Sequence, residues 1–195
     1  TNNNHGAAKG PDEIRKKLYT LKKGNGSYRI IDLGNLNPGI DLDETYVRIS
    51  EVCRMLLENN VLPILLGGTH DLDYGQYCWY ETMSKLVSLL NIDAFLDLED
   101  KRESPANQQH INKLLLHEPN FLFSYTHLAY QSYLIDPLSV SILEKLYFEA
   151  FRIGQMRTGL QEMEPTIRNA DMLSFDITAI RSADAPGNAR AQPFG

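Results

Sequence analysis

Apolar and polar residues alternate along the chain with two different spacings, one typical of helices and the other of strands. Apolar residues three and four positions apart predict helices with one buried face. Short, continuous apolar runs predict buried strands. Helices are predicted at 10–21, 43–60, 73–85, 107–117, 137–146 and 160–169, and strands at 28–33, 61–66, 86–92, 121–125, 147–153 and 172–176.

This alternation predicts an α/β fold, a three-layer α/β/α arrangement with a mainly parallel open sheet. Local signals set some of the helix ends: Asp43 or Thr45 can cap the second helix, and Pro165 interrupts the last one. With 195 residues, 43% of them hydrophobic, the chain can bury one sizeable core, so a single domain over 1–195 is predicted. We expect that domain to be incomplete at both ends.

Charge and cysteine content narrow the class of protein. A formal net charge of −6 disfavours nucleic acid and anionic membranes as partners, because both require a basic surface. No apolar run is long enough to span a bilayer. Cys53 and Cys78 lie in apolar helical patterns without metal-ligand spacing, which predicts reduced, buried thiols. These features favour a cytoplasmic protein with a small-molecule ligand.

Polar residues that could hold a metal ion follow three of the predicted strands. His70 comes after the strand at 61–66, and the other three candidates are aspartates, namely Asp93, Asp97 and Asp176. Ligands of open parallel sheets bind outside the carboxyl ends of the strands, so these side chains are expected at one edge. Three carboxylates and one imidazole suit Mn²⁺ or Mg²⁺. One divalent metal site is therefore predicted.

Structural roles are the alternative for the same residues. An aspartate after a strand also caps a helix or closes a turn, and a histidine there can be a hydrogen-bonded structural residue. Neighbouring carboxylates without a metal repel one another and need a proton or a Lys/Arg partner. His127, at a strand end, is a candidate proton shuttle or a structural histidine. His110 and His117 are expected to be solvated on their helix.

Six short segments along the chain have the character of sequence motifs. They are Gly10-Pro11-Asp12-Glu13-Ile14-Arg15, Ile31-Asp32-Leu33-Gly34-Asn35, Gly67-Gly68-Thr69-His70-Asp71, Asp93-Ala94-Phe95-Leu96-Asp97, Ser174-Phe175-Asp176-Ile177-Thr178 and Ala185-Pro186-Gly187. In this order they resemble the motifs of one enzyme family, the ureohydrolases, which comprise arginase, agmatinase and formimidoylglutamase. Tyr130-Gln131 resembles the formimidoylglutamase branch more than arginase.

The resemblance implies two Mn²⁺ ions whose bridging hydroxide attacks a guanidine or amidine carbon, in a protein that forms symmetric oligomers. Carried over by residue, the four candidate ligands correspond to those of one ion. Phe95 stands where the family has its central histidine, and Thr178 where it has its final aspartate. A phenyl ring cannot bind a metal and a hydroxyl replaces a carboxylate poorly. The second ion is therefore predicted to be lost, which leaves one Mn²⁺.

Two functions are compatible with these residues. The first is a metal-dependent hydrolase of a linear amidine or guanidine C–N bond, with a metal-bound water as nucleophile and a small amidine or guanidine as substrate. The second is a family member without catalysis that serves as a binding or structural subunit. A homo-oligomer is expected in both cases.

Overall fold

Helices and strands follow one another along the computed structural model, which describes residues 5–99 and 103–194. The chain divides between Trp79 and Tyr80 into an amino-terminal and a carboxyl-terminal compact unit. The helices are α1 (Gly10–Leu18), α2 (Leu42–Glu58), α3 (Asp73–Thr82), α4 (His110–Leu115), α5 (Pro137–Lys145), α6 (Ile153–Thr158) and α7 (Glu164–Arg168), and the strands are β1 (Val87–Ile92), β2 (Leu122–Tyr130), β3 (Glu149–Arg152) and β4 (Met172–Phe175).

The amino-terminal unit contains α2, whose N-cap lies two residues before the first of its predicted caps. Asp41, not Asp43 or Thr45, is the N-cap, because its side chain accepts the N–H of Glu44 at 2.8 Å. The predicted caps were wrong because a residue already inside the first turn cannot close it. Burial on the inner face of α2 raises the pKa of the Cys53 thiol to about 11. Cys53 is buried as predicted, whereas Cys78 is only half-buried, and the structure shows no disulfide among the residues that it describes.

Two of the motif segments meet within this unit. The Arg15 side chain donates from Nε to Asp32 Oδ2 at 2.5 Å, and the Gly34 N–H donates to Asp32 Oδ1 at 2.8 Å. The Arg15 guanidinium therefore holds the pKa of the Asp32 carboxyl well below its usual range. Arg15 and Asp32 thus tie α1 to the segment that follows it.

The predicted strands at 28–33 and 61–66 do not form, and this expectation was wrong. Among the described residues, the strands that form a sheet are β1–β4, and neither segment has a ladder partner. Ile30 and Leu62 are more than two-thirds exposed. A strand exists only when its backbone N–H and C=O groups pair with a neighbouring strand, and an apolar run alone does not supply one.

The carboxyl-terminal unit contains one sheet of four parallel strands in the order β3-β2-β1-β4. In register, Leu90 of β1 lies beside Thr126 of β2 and Leu173 of β4. Leu90, Leu128 and Met163 form a buried cluster on one face of the sheet. These strands confirm the predictions at 86–92, 121–125, 147–153 and 172–176.

All six predicted helices occur, although several are shorter than predicted. Pro165 opens α7 after a 3-10 turn at Leu160–Met163, which confirms the predicted interruption. The helix α6 was missed because its six residues contain too few apolar positions to show a period. Within the described ranges, no helix is both long and apolar enough to cross a membrane.

The cap of α2 gives a direct test of its observed start. Asp41→Ala removes the acceptor of the Glu44 N–H and is expected to lower the free energy of unfolding by about 1 kcal/mol. Asp43→Ala is the matched control, and we expect a change within about 0.5 kcal/mol. Urea denaturation of both variants measures the difference. A larger loss for Asp43→Ala than for Asp41→Ala would contradict the assignment.

Candidate metal centre

Two of the predicted ligands lie side by side at the carboxyl edge of the sheet. Ile92 ends β1 and pairs in register with Phe175, the last residue of β4, so Asp93 and Asp176 are the next residues of adjacent strands. A carboxylate oxygen of Asp93 lies within 4.8 Å of one from Asp176. In the sheet, β2 and then β3 lie on one side of β1, whereas β4 lies on its other side. The pair therefore stands at a topological switch point, where open α/β sheets bind ligands.

Both carboxylates also close turns, as the structural alternative proposed. Asp93 Oδ1 accepts the N–H of Phe95 at 3.0 Å, and Asp176 Oδ1 accepts the N–H of Thr178 at 2.7 Å. The Thr178 hydroxyl, which is buried, also donates to Asp93 Oδ1. Thr178 therefore fixes Asp93 by a hydrogen bond. A turn-closing role and a ligand role are compatible, because each carboxylate has two oxygens.

The Asp97 side chain contacts other residues than those that contact Asp93 and Asp176. Its Oδ1 is 3.3 Å from Nη1 of Arg190, and its Oδ2 is 3.8 Å from Nδ1 of His110. Its side chain is only 3% exposed, so its charge requires compensation from the protein. The backbone has a φ of 48°, a left-handed conformation that costs energy for a residue other than glycine. The fold maintains this conformation and so presents the side chain to Arg190.

The ring of Phe95, which stands where the family resemblance places a histidine, is covered by the guanidinium of Arg190. Arg190 Cζ stands 3.5 Å from the centroid of the Phe95 ring, a cation–π contact. Phe95 offers no donor atom to a metal. Phe95 therefore suits contact with an organic cation and cannot itself bind a metal ion.

The expectation that His110 and His117 are solvated was wrong. His110 is 1% exposed and faces Asp97, while His117 Nε2 is 3.0 Å from Glu81 Oε2. A signal for His110 was present in the sequence, because it shares the i, i+4 spacing with the buried Leu114 on the inner face of α4. No signal indicated Arg190, which lies 93 positions from Asp97 in a loop.

His127 is held by hydrogen bonds on both ring nitrogens. Nε2 lies 3.0 Å from the carbonyl oxygen of Asp93, which can only accept, so Nε2 carries the proton. In the neutral ring Nδ1 then accepts the Tyr125 hydroxyl at 2.8 Å. The ring is fully buried. This geometry favours the structural interpretation of His127 over the proton shuttle.

His70 belongs to the amino-terminal unit, where it opens the 3-10 turn His70–Leu72. Its Nε2 lies 3.8 Å from Asp73 Oδ2, and its side chain is buried. The next residue, Asp71, is also fully buried, and neither of its carboxylate oxygens has a hydrogen-bond partner among the residues that the structure describes. A buried carboxylate of this kind needs compensation, and sequence reasoning did not single it out.

The family model described as the arginase family matches residues 1–195. The chain belongs to the arginase family. This finding confirms the family resemblance seen in the six ordered segments.

Curated relatives of the chain carry the name formimidoylglutamase. The protein of Lysinibacillus sphaericus (strain C3-41) is 27% identical over 204 residues, which cover 97% of this chain and 62% of that protein. The protein of Clostridium tetani (strain Massachusetts / E88) is 32% identical over 106 residues, which cover 50% of this chain and 31% of that protein. The chain thus spans less than two-thirds of the length of these relatives.

Solved structures share the fold over nearly the whole chain. The formiminoglutamase of Trypanosoma cruzi with Mn²⁺ matches with a TM-score of 0.85 and 19% identity, over 97% of this chain and 69% of that chain. The formimidoylglutamase of Bacillus subtilis gives 0.84 and 18%, over 100% and 67%. A putative agmatinase from Clostridium difficile gives 0.79 and 16%, over 100% and 73%. These matches confirm the predicted three-layer α/β/α fold class.

The contribution of the hydrogen bond from Thr178 to Asp93 to stability can be tested by substitution of Thr178. Thr178→Val keeps the shape of the side chain but removes the donor, and should lower the free energy of unfolding by about 1–3 kcal/mol because Asp93 is buried. Thr178→Ser keeps the hydroxyl and should retain most of the stability. Urea denaturation in the presence of EDTA measures both. Equal losses for valine and serine would show that the hydrogen bond contributes nothing.

Proposed function

We propose that this chain binds one divalent ion, Mn²⁺, and hydrolyses a C–N bond of a linear amidine, with a formimino compound as the favoured substrate class. The observation that supports this proposal most is the pairing of Asp93 with Asp176 at the switch point of the sheet. A carboxylate pair in that position is what a hard divalent cation requires.

The proposed ligands are His70, Asp93, Asp97 and Asp176. The two carboxylates of adjacent strands fit an ion with oxygen ligands, whereas His70 is assigned from its motif alone. When bound, such an ion supplies Lewis-acid activation of the substrate and lowers the pKa of a bound water. A second ion is not part of the proposal, because Phe95 has no donor and Thr178 directs its hydroxyl to Asp93.

Residues around the carboxylates hold them in place. Thr178 and the Phe95 N–H fix one oxygen of Asp93, and His127 donates to the Asp93 carbonyl oxygen. These contacts limit the rotation of the carboxylate. Fixed ligands of this kind favour one coordination geometry over others.

The substrate class follows from the relatives. The curated relatives are named formimidoylglutamases, and Tyr130-Gln131 resembles that branch. We therefore propose a small formimino compound as the substrate, and as alternatives other amidines or guanidines. We also propose the cytoplasm, a reducing compartment, as the location of the protein, since Cys53 and Cys78 are not in a disulfide in the described part of the chain. The homo-oligomer expected from the family resemblance stays a prediction.

A second candidate function is a binding or structural subunit without catalysis. The contact of Arg190 with Phe95 and Asp97 favours it, because the guanidinium covers a ring that has no metal donor and pairs with one of the proposed ligands. One carboxylate of the proposed ligand set then already has a cationic partner.

Metal content and turnover separate the two functions. The chain is purified in Mn²⁺, its metal is measured by atomic emission, and ammonia and urea release are assayed with formimino and guanidino substrates. One ion with turnover supports the hydrolase, and one ion without turnover favours the binding subunit. Two ions per chain contradict the single-metal proposal, and no ion contradicts the metal site.

The role of Asp93 is tested in the same preparation. Asp93→Asn keeps the shape and most hydrogen-bonding capacity but lowers the charge, so we expect Mn²⁺ affinity to fall at least about tenfold. Asp93→Ala should abolish measurable binding. Asp184→Ala is the control, since Asp184 is exposed and pairs with Arg181 instead. Unchanged Mn²⁺ binding in Asp93→Ala would leave the carboxylates with a turn-closing role only.

A further inference from the structure

Arg190 is a cation in direct contact with a residue of the proposed ligand set, Asp97. Its Nη1 donates to Asp97 Oδ1 at 3.3 Å, and its Cζ covers the Phe95 ring at 3.5 Å. The side chain of Asp97 is almost completely buried. Guanidinium, carboxylate and ring therefore form one stacked and paired group, which we call the Arg190 clamp.

The loop that carries Arg190 is fixed on both sides of the residue. The Arg190 N–H donates to Asn188 Oδ1 at 2.9 Å, and Gln192 Nε2 donates to the Arg190 carbonyl at 2.7 Å. The Ser182 N–H also donates to the Gln192 carbonyl at 2.7 Å. Because the backbone on either side is held, less side-chain freedom is lost when the guanidinium pairs with Asp97.

In the Arg190 clamp, the guanidinium compensates the negative charge of the buried Asp97 side chain. A buried carboxylate without a cation is strongly destabilising, and removal of one partner of a buried pair leaves the other charge uncompensated. His110 Nδ1 also faces Asp97 but lies 3.8 Å from Oδ2, beyond hydrogen-bond distance, and it lies 3.3 Å from the Asn107 carbonyl oxygen. Arg190 therefore supplies a permanent positive charge at this carboxylate.

We propose that Arg190 is an internal counter-ion that occupies Asp97 in competition with a divalent cation. In the metal-free chain the guanidinium neutralises Asp97. A divalent ion that uses Asp97 must share it with a fixed positive charge, which lowers the affinity for that ion. Arg190 is thus a positioning residue for Asp97. The competition rests on the proposed function, whereas the neutralisation of Asp97 does not.

A double-mutant cycle in EDTA tests the neutralisation without any metal. Arg190→Gln is expected to lower the thermal midpoint by at least about 4 °C, since a buried charge loses its partner. In an Asp97→Asn background the same change should cost little, because no charge remains to neutralise. Arg181→Gln is the matched control in the same stretch, where Arg181 pairs with the exposed Asp184. Arg190→Lys should recover part of the loss, because the charge is kept.

The outcomes of this cycle distinguish a loss of stability caused by charge from one caused by packing. Equal losses with and without Asp97, or a loss with Arg190→Lys as large as with Arg190→Gln, would overturn the proposal, since the effect would then come from stacking on Phe95. If Arg190→Gln does not fold, the double variant Arg190→Gln/Asp97→Asn decides. Its folding supports the proposal, and its failure to fold contradicts it.

Mn²⁺ titration tests the competition. Electron paramagnetic resonance of free Mn²⁺ should show that Arg190→Gln binds the ion about fivefold more tightly than the unmodified chain, whereas Arg181→Gln is unchanged. Unchanged or weaker binding by Arg190→Gln would overturn the competition. If neither the unmodified chain nor Arg190→Gln binds Mn²⁺, the proposed function fails and the competition with it. The cycle in EDTA still decides whether Arg190 is the counter-ion of Asp97.

Discussion

Carboxylates that are buried next to one another at the end of a sheet repel, and the carboxyl-terminal unit is arranged around that repulsion. The register of β1 and β4 makes Asp93 and Asp176 neighbours, since both follow paired strand ends. The surrounding groups then supply compensation of different kinds. A hydroxyl and the Phe95 N–H stabilise Asp93, whereas a guanidinium stabilises Asp97. Local hydrogen bonds thus allow a negatively charged edge to fold.

The parts of the fold that sequence predicted well are those governed by local pattern. Helix periodicity and the four apolar runs at β1–β4 depend on nearby residues, so they could be read directly. The segments 28–33 and 61–66 carried the same apolar signal, yet strand formation depends on a partner that a single sequence does not reveal. The cap of α2 was missed by two residues, because several acids near a helix start compete for the same role.

In the candidate centre, too, some residues could be predicted from the sequence and others could not. Asp93, Asp97 and Asp176 could be found because residues after strands gather at one edge. Arg190 could not, since its loop is separated from Asp97 by most of the sheet and the helices that connect its strands. That Thr178 replaces a ligand of the family stays a prediction, and its donation to Asp93 could be seen only in three dimensions. Side-chain pairs between residues that are far apart in the sequence produce no periodic pattern from which they could be predicted.

The stacking of Arg190 on Phe95 limits which side chains position 95 can carry. A histidine there would meet a guanidinium whose Cζ stands 3.5 Å from the present ring centroid, so that exchange alone would place two cationic groups in contact whenever the ring is protonated. An aspartate at position 178 would replace the hydroxyl that donates to Asp93 by a second carboxylate, and the two negative charges would repel. Each position is therefore constrained by the charge of its own neighbour, position 95 by Arg190 and position 178 by Asp93.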